Sequence, residues 1–307
     1  MLEVYNMSWT GSENTAVALG YFDGVHTAHQ YLINQMCSYA QKNNLKKAVF
    51  TFTKSITLGH KGKDLLTQSQ KLDCMNSLGI DIFYSPDFSD FSALTPEEFV
   101  QKILINSMRA KAVFCGENFF FGKNRRGNVR VLKELCDKYG IEFIKTETVY
   151  FEGEPVSSTA IRNALAEGNM DKANAMLGRP YAVKLNVVHG KKIGRTMGTP
   201  TINQVYPDGM CTPKDGVYIT CTTVDGKKYP SATGLGSRPT VNGMGQTCET
   251  FILGFEGDLY YKEIQVEFYS YLFAPKKFDS LQQLGDMIYS SAQKSAEYLA
   301  KKGVINQ

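Results

Sequence analysis

Short apolar runs alternate with helix-patterned stretches over the first 180 residues, and few architectures accommodate that rhythm. "AVALGYF" (16–22) reads as a buried strand, after which Ala28, Leu32, Ile33, Met36, Tyr39 and Ala40 recur at helical spacing. "KAVFTFT" (47–53), "DIFYS" (81–85), "KAVFCG" (111–116) and "IEFIKTETV" (141–149) are further strand candidates. Between them lie the helical "PEEFVQKILINSM" (96–108) and "VRVLKELCDKYG" (129–140), the second stopped by a glycine. Parallel neighbours need a crossover, usually a helix, so the alternation predicts a parallel α/β sheet. A last helix, "SSTAIRNALAEG" (157–168), starts on hydroxyl residues and ends at Gly168.

After "LGRPY" (177–181) strand-like runs dominate: "AVKLNVV" (182–188), "GVYITCTTV" (216–224), "ETFILGF" (249–255) and "EIQVEFYSYLF" (263–273). "VDGK" (224–227) and "EGD" (256–258) predict hairpin turns, and residues 280–301 are helical again. The second half is therefore expected to be an antiparallel β-barrel with a C-terminal helix. The boundary falls near residues 178–182, giving domains 1–180 and 181–307. No internal repeat or low-complexity segment is present.

The excess of basic over acidic residues, 34 to 30, is small and scattered, which argues weakly for small anionic ligands and makes no case for nucleic acid. The seven cysteines form no CxxC pair, so reduced, packed thiols and a cytoplasmic location are expected. "MLEVYNMSWTGSENT" lacks a signal-peptide pattern, and no apolar run approaches the length of a membrane span.

Two segments carry phosphate-binding character. "GYFDGVHTAH" (20–29) sits where the first strand passes into the first helix, the place where parallel sheets gather ligands. A helix start offers free N–H groups and the positive end of a dipole to phosphate. Gly20 and Gly24 would let the backbone approach, and His26 and His29 would donate to phosphate oxygens. On spacing alone, a solvated histidine pair on the first turn fits equally well. Neither GxGxxG nor a Walker A sequence follows this strand. "SSTAIR" adds Ser157, Ser158 and Thr159 at a helix start with Arg162 one turn on, a cradle suited to a triphosphate; a simple serine cap is the alternative.

In the second half, "VVHGKKIGRTMGTPTIN" (187–203) is rich in glycine and basic residues. Gly190, Gly194 and Gly198 would permit a tight loop around phosphates, with Arg195 inside it. Thr201 and Asn203 offer neutral oxygens to magnesium. A plain surface hairpin is the alternative. Glu249 alternates onto one strand face with Phe251 and Leu253, and a carboxylate there suits a general base.

"GYFDGVHTAH", "GENFFFGKNRRGNV" (116–129), "SSTAIR" and "LGRPY" occur in the order seen in bacterial bifunctional riboflavin kinase/FMN adenylyltransferases, and the chain resembles that family over nearly its whole length. The resemblance implies a Rossmann-like nucleotidyltransferase domain followed by a flavokinase barrel, with ATP, riboflavin and FMN as substrates, FAD as product and Mg2+ as cofactor. It implies ATP contacts at Gly20, Phe22, His26, His29, Ser157, Ser158, Thr159 and Arg162 in the first half, and places Asn118 near the flavin phosphate. In the second half it implies ATP contacts at Gly190, Gly194, Arg195, Gly198, Thr201 and Asn203, metal ligation by Thr201 and Asn203, and a catalytic base at Glu249. "DGVYIT" (215–220) and "GLGSRPT" (234–240) match strands of the flavokinase domain. Ala28 stands where the family usually has glycine, "TFTKSIT" (51–57) lacks the usual proline-histidine-proline, and Phe273 and Pro275 replace arginine and glutamate near the flavin site. An enzyme with only the adenylyltransferase half active and a flavin-binding regulator are the competing readings. Oligomeric state is not legible in the sequence.

Overall fold

In the computed structural model of the chain, residues 1–53, 63–190, 193–240 and 243–305 are described. They fall into two compact units, 1–53 with 68–157 and 63–67 with 158–305.

The first unit is built on a wholly parallel six-stranded sheet. Its strands are β1 (Leu2–Val4), β2 (Thr15–Leu19), β3 (Lys46–Phe50), β4 (Ile82–Tyr84), β5 (Ala110–Gly116) and β6 (Glu142–Thr146), in spatial order β1-β4-β3-β2-β5-β6. Every residue of β2 is buried, as a central strand covered on both faces requires. Helices α1 (Thr27–Lys42), α2 (Gln68–Ser77), α3 (Phe88–Phe91), α4 (Pro96–Phe99) and α5 (Val129–Tyr139) accompany it. A capping box of Thr95 and Glu98 starts α4, and Gly140, at φ 67°, ends α5. The predicted helix 96–108 is present, but from Val100 to Ser107 it widens into π-turns. Strand order reverses at β2, so the loops after β2 and β5 open at the sheet's switch point. These loops are "GYFDG" and "GENFFFG". The two-residue strands β7 (Tyr150–Phe151) and β8 (Glu154–Pro155) form a separate ribbon.

The second unit opens with α6 (Ser158–Glu167) and α7 (Met170–Leu177). Both precede the change of rhythm, yet they pack with the strands that follow. The Asn174 side chain donates to Phe268 O at 2.9 Å and accepts from Tyr181 N at 2.7 Å, and Lys214 N donates to Leu165 O. Strands β9 (Tyr181–Val188), β10 (Thr201–Val205), β11 (Gly216–Val224), β12 (Lys227–Thr240), β13 (Gly243–Ile252) and β14 (Glu263–Phe273) close an antiparallel barrel in the order β10-β13-β12-β11-β14-β9. A short helix α8 (Ile193–Thr196) lies in the glycine loop, and α9 (Leu281–Lys301), capped by Ser280, packs on β12 and β11. The fold class is as the sequence predicted.

"VDGK" makes the β11–β12 hairpin, with Asp225 at φ 47° and Gly226 at φ 79°, the conformation a two-residue turn of matching twist demands. "EGD" does not make a hairpin. β13 pairs with β10 and β12, while β14 pairs with β11 and β9. Closing the barrel inserts β14 between β9 and β11, so residues 253–262 form a crossing connection. The barrel interior is unusually polar: Thr220, Thr222, Ser231, Thr233 and Thr250 are fully buried and satisfy one another through hydroxyl bonds of 2.8–2.9 Å.

Candidate functional site

The turn between β2 and α1 in the first unit is strained. Phe22 has φ 53°, Gly24 φ 79° and Val25 φ 40°, and positive φ in a β-branched residue is rare. Phe22 is buried; its ring folds back on Gly20, where an added Cβ would meet it at 2.9 Å, and stands edge-on to His29. The Phe22 side chain therefore supports the turn from below. His26 caps α1: its Nδ1 accepts from His29 N at 3.4 Å, which leaves the ring proton on Nε2 in the neutral form. The two imidazoles stack at 3.6 Å. Among the described residues His29 Nδ1 is buried without a hydrogen-bond partner. The buried ammonium of Lys71 donates to Tyr21 O at 3.0 Å beneath the same turn.

Burial, reinforced by the neighbouring His26 and Lys71, holds the His29 pKa well below 6.5. Unfolded His29 takes up a proton near pH 6.5, while the folded residue does so only at lower pH. Between those values the unfolded chain carries the extra proton, so this contribution to stability is complete above about pH 6.5 and is lost on acidification. His29→Gln is expected to flatten the stability profile by up to about 1.4 kcal/mol per pH unit below that point. Urea melts from about pH 7.5 to about pH 5.5 check it.

Beside the other switch-point loop is a cavity of ≈ 500 Å³ walled by aromatic rings, among them Phe52, Phe88, Phe119, Phe120 and Phe121. Gly127 gives the Phe121 ring room: an added Cβ there would meet it at 2.6 Å. Arg125 lies 4.5 Å from the Phe120 ring centre at the cavity's basic edge. Asn118, next to Phe119, is exposed and is not in the wall. "TFTKSIT" runs out of the described residues after Thr53.

Ser157 ends the first unit's residues; Ser158, Thr159 and Arg162 belong to the second. Ser158 and Thr159 open α6, and Arg162 Nε donates to Lys63 O at 2.7 Å.

In the barrel, two cavities of ≈ 370 Å³ share one wall residue, Thr201. The first is lined by Arg195, Pro200, Phe255 and Tyr260. Arg195 reaches the Tyr260 hydroxyl at 3.4 Å, and His189 packs against the Tyr260 ring with centres 4.0 Å apart. The second is lined by Glu249, Gly234, Gly236, Phe273, Pro275 and Lys276, with Leu284, Met287 and Ile288 from α9. Gly234 and Gly236 leave its floor open; a Cβ at Gly236 would meet nothing within 4 Å. Glu249 pairs in register with Asn203 on one side and Gly234 on the other. The loop glycines have distinct reasons: a Cβ at Gly190 would strike the Asn203 side chain at 2.5 Å, one at Gly194 would strike Thr199 O at 2.3 Å, and Gly198 has φ 70°. Lys191 and Lys192 lie outside the described residues.

Sequence reasoning missed Lys71, Tyr260 and the α9 wall. Only α9 left a local signal, its apolar stripe Leu284, Met287 and Ile288. Among the described residues no group of three His, Cys, Asp or Glu side chains could hold a metal, and no helix is long and apolar enough to cross a membrane. All seven cysteines are free; burial pushes Cys115 and Cys136 up to about 12.

Residues 9–160 match the sequence family described as FAD synthetase, and residues 177–299 match riboflavin kinase. Among curated proteins, a bifunctional riboflavin kinase/FMN adenylyltransferase of Escherichia coli (strain K12) is 33% identical over 287 residues, covering 92% of this chain and 91% of its own. The proteins of that description from Listeria monocytogenes and Bacillus subtilis are 32% and 31% identical, with coverage of 95% and 93% on both sides. A crystal structure from Streptococcus pneumoniae, described as a macrolide-efflux protein, superposes with a TM-score of 0.85 at 31% identity over 96% of this chain and 98% of that one.

Proposed function

The chain belongs to the bifunctional riboflavin kinase/FMN adenylyltransferase family, and from that premise we propose how its residues divide the two reactions. It phosphorylates riboflavin to FMN and adenylylates FMN to FAD.

In the barrel, ATP takes the cavity of Arg195 and Tyr260, and riboflavin takes the cavity of Glu249. The shared wall at Thr201 is the observation that carries this reading, because a phosphoryl group must pass between two sites that touch. Glu249 accepts the proton of the ribityl hydroxyl as that oxygen attacks the γ-phosphorus. Thr201 and Asn203 supply neutral oxygens on alternate positions of β10, which share one strand face, a donor set that suits magnesium arriving with ATP better than a free ion. When bound, the metal neutralises phosphate charge. The loop glycines bring backbone N–H groups to the phosphates.

In the first unit, FMN lays its ring system in the phenylalanine cavity, where aromatic faces stack. Its phosphate oxygen attacks the α-phosphorus of ATP and pyrophosphate leaves. His26 Nε2, His29 and the N-terminus of α1 donate to the charge that develops. Asn118, on the loop after β5, lies near the flavin phosphate. Free, packed thiols suit a cytosolic enzyme.

If the second half is an independent kinase, a fragment of residues 181–307 should fold and phosphorylate riboflavin. Because α6 and α7 pack on the barrel strands, a fragment of residues 158–307 is expected to be the more stable of the two, by several degrees in melting temperature. Circular dichroism melts and FMN formation by both fragments test the assignment; inactive, unfolded protein from both would refute it.

A further inference from the structure

We propose that Lys71 is a positioning residue for adenylyl transfer, pinning the Tyr21 carbonyl so that the turn Phe22–Val25 presents His26 and His29. The proposal rests on the reading that these histidines meet the ATP phosphates.

A buried ammonium is costly unless the structure uses it. Lys71, on α2, is only 6% exposed. Its Nζ donates to Tyr21 O at 3.0 Å and lies 4.3 Å from the centre of the Tyr21 ring. Thr51, at the end of β3, donates its hydroxyl to the same oxygen at 2.9 Å. Two donors from different elements thus converge on one carbonyl.

That carbonyl immediately precedes the three left-handed residues Phe22, Gly24 and Val25. Such backbone persists only where its surroundings over-determine it. At the far end of the turn, Gln30 Nε2 donates to Val25 O at 2.8 Å. The turn is therefore clamped at both ends, and His26 leaves it directly to cap α1.

Lys71 has a second effect. His29 is faced by His26 from the start of its own helix, by Lys71 from α2 and by the uncharged Phe22 ring; Asp23 is buried in the same turn. A cation fixed on this side opposes protonation of His29, so the same residue that sets the position of the pair also biases its charge state.

The test compares Lys71→Met, Lys71→Arg and Thr51→Val in the full chain, with FMN formation from riboflavin as the internal control. Lys71→Met is expected to lower kcat for FAD formation by about a hundredfold while KM for ATP moves less than about threefold, since small misplacements act on the transition state. Lys71→Arg should recover activity to within about tenfold of wild type, and FMN formation should be unchanged throughout. A Lys71→Met enzyme within about threefold of wild type, or equal losses in the Met and Arg variants, overturns the proposal. If Lys71→Met does not fold, Thr51→Val decides: a several-fold fall in kcat at constant KM supports the clamp, and unchanged kcat refutes it. His29→Ala separates the two levels of inference. If it still makes FAD, the phosphate reading fails; if it is inactive while Lys71→Met is active, only the Lys71 proposal fails.

Discussion

Glu249→Gln is expected to stop FMN formation while FAD formation from supplied FMN continues at the wild-type rate. Glutamine keeps the size and an acceptor oxygen but cannot take a proton at neutral pH. A positioned base contributes roughly 10²–10⁴-fold, or about 3–5 kcal/mol of barrier. The loss should fall on kcat alone, because the loop 187–203 and the shared wall at Thr201 are untouched. The substitution should also be structurally quiet: Glu249 lines an open cavity, and Gly234 beside it carries no side chain to clash. Initial rates of riboflavin phosphorylation, with riboflavin and ATP affinities measured separately, check it. A mutant within a few-fold of wild type would remove Glu249 from the mechanism.

The complementary variant is His29→Ala, expected to lower FAD formation by about 10²–10³-fold and to leave riboflavin phosphorylation intact. His29 is half-buried, stacks on His26 and stands edge-on to Phe22, so its removal takes out the donor that the proposed reaction uses together with a ring of the packed turn. The cavity left by the ring adds a stability cost, which a melt of the variant will show and which activity at about 20 °C, well below that melt, separates from catalysis. Supplied with riboflavin, this variant should accumulate FMN. Normal FAD synthesis would show that the histidine pair is only a helix start.

Much of this was legible because it rests on local pattern. The period of apolar residues gave the parallel sheet and the barrel strands β11 and β14 at their observed limits. The two glycine-bearing loops were legible because tight backbone geometry restricts residue choice. What was hidden depends on long-range pairing. "EGD" has turn composition, but composition reports a bend and not which strands it joins. Nothing local in "QSQKLDC" reveals that Lys71 is buried under Tyr21. Phe121 belongs to the core and also walls the aromatic cavity, a double role that local pattern does not separate. Phe273 and Pro275 stand in the wall of the Glu249 cavity, with Lys276 Nζ 4.8 Å from the Phe273 ring centre, which makes that stretch of the wall apolar and cationic.

The claim that one chain carries both reactions at separate sites is tested most directly by following products over time after mixing the full-length protein with riboflavin, ATP and magnesium. FMN should rise first and then fall as FAD and pyrophosphate appear, with His29→Ala halting the course at FMN and Glu249→Gln preventing its start. FMN accumulating without FAD in the wild-type protein, or no conversion of riboflavin at all, would contradict it.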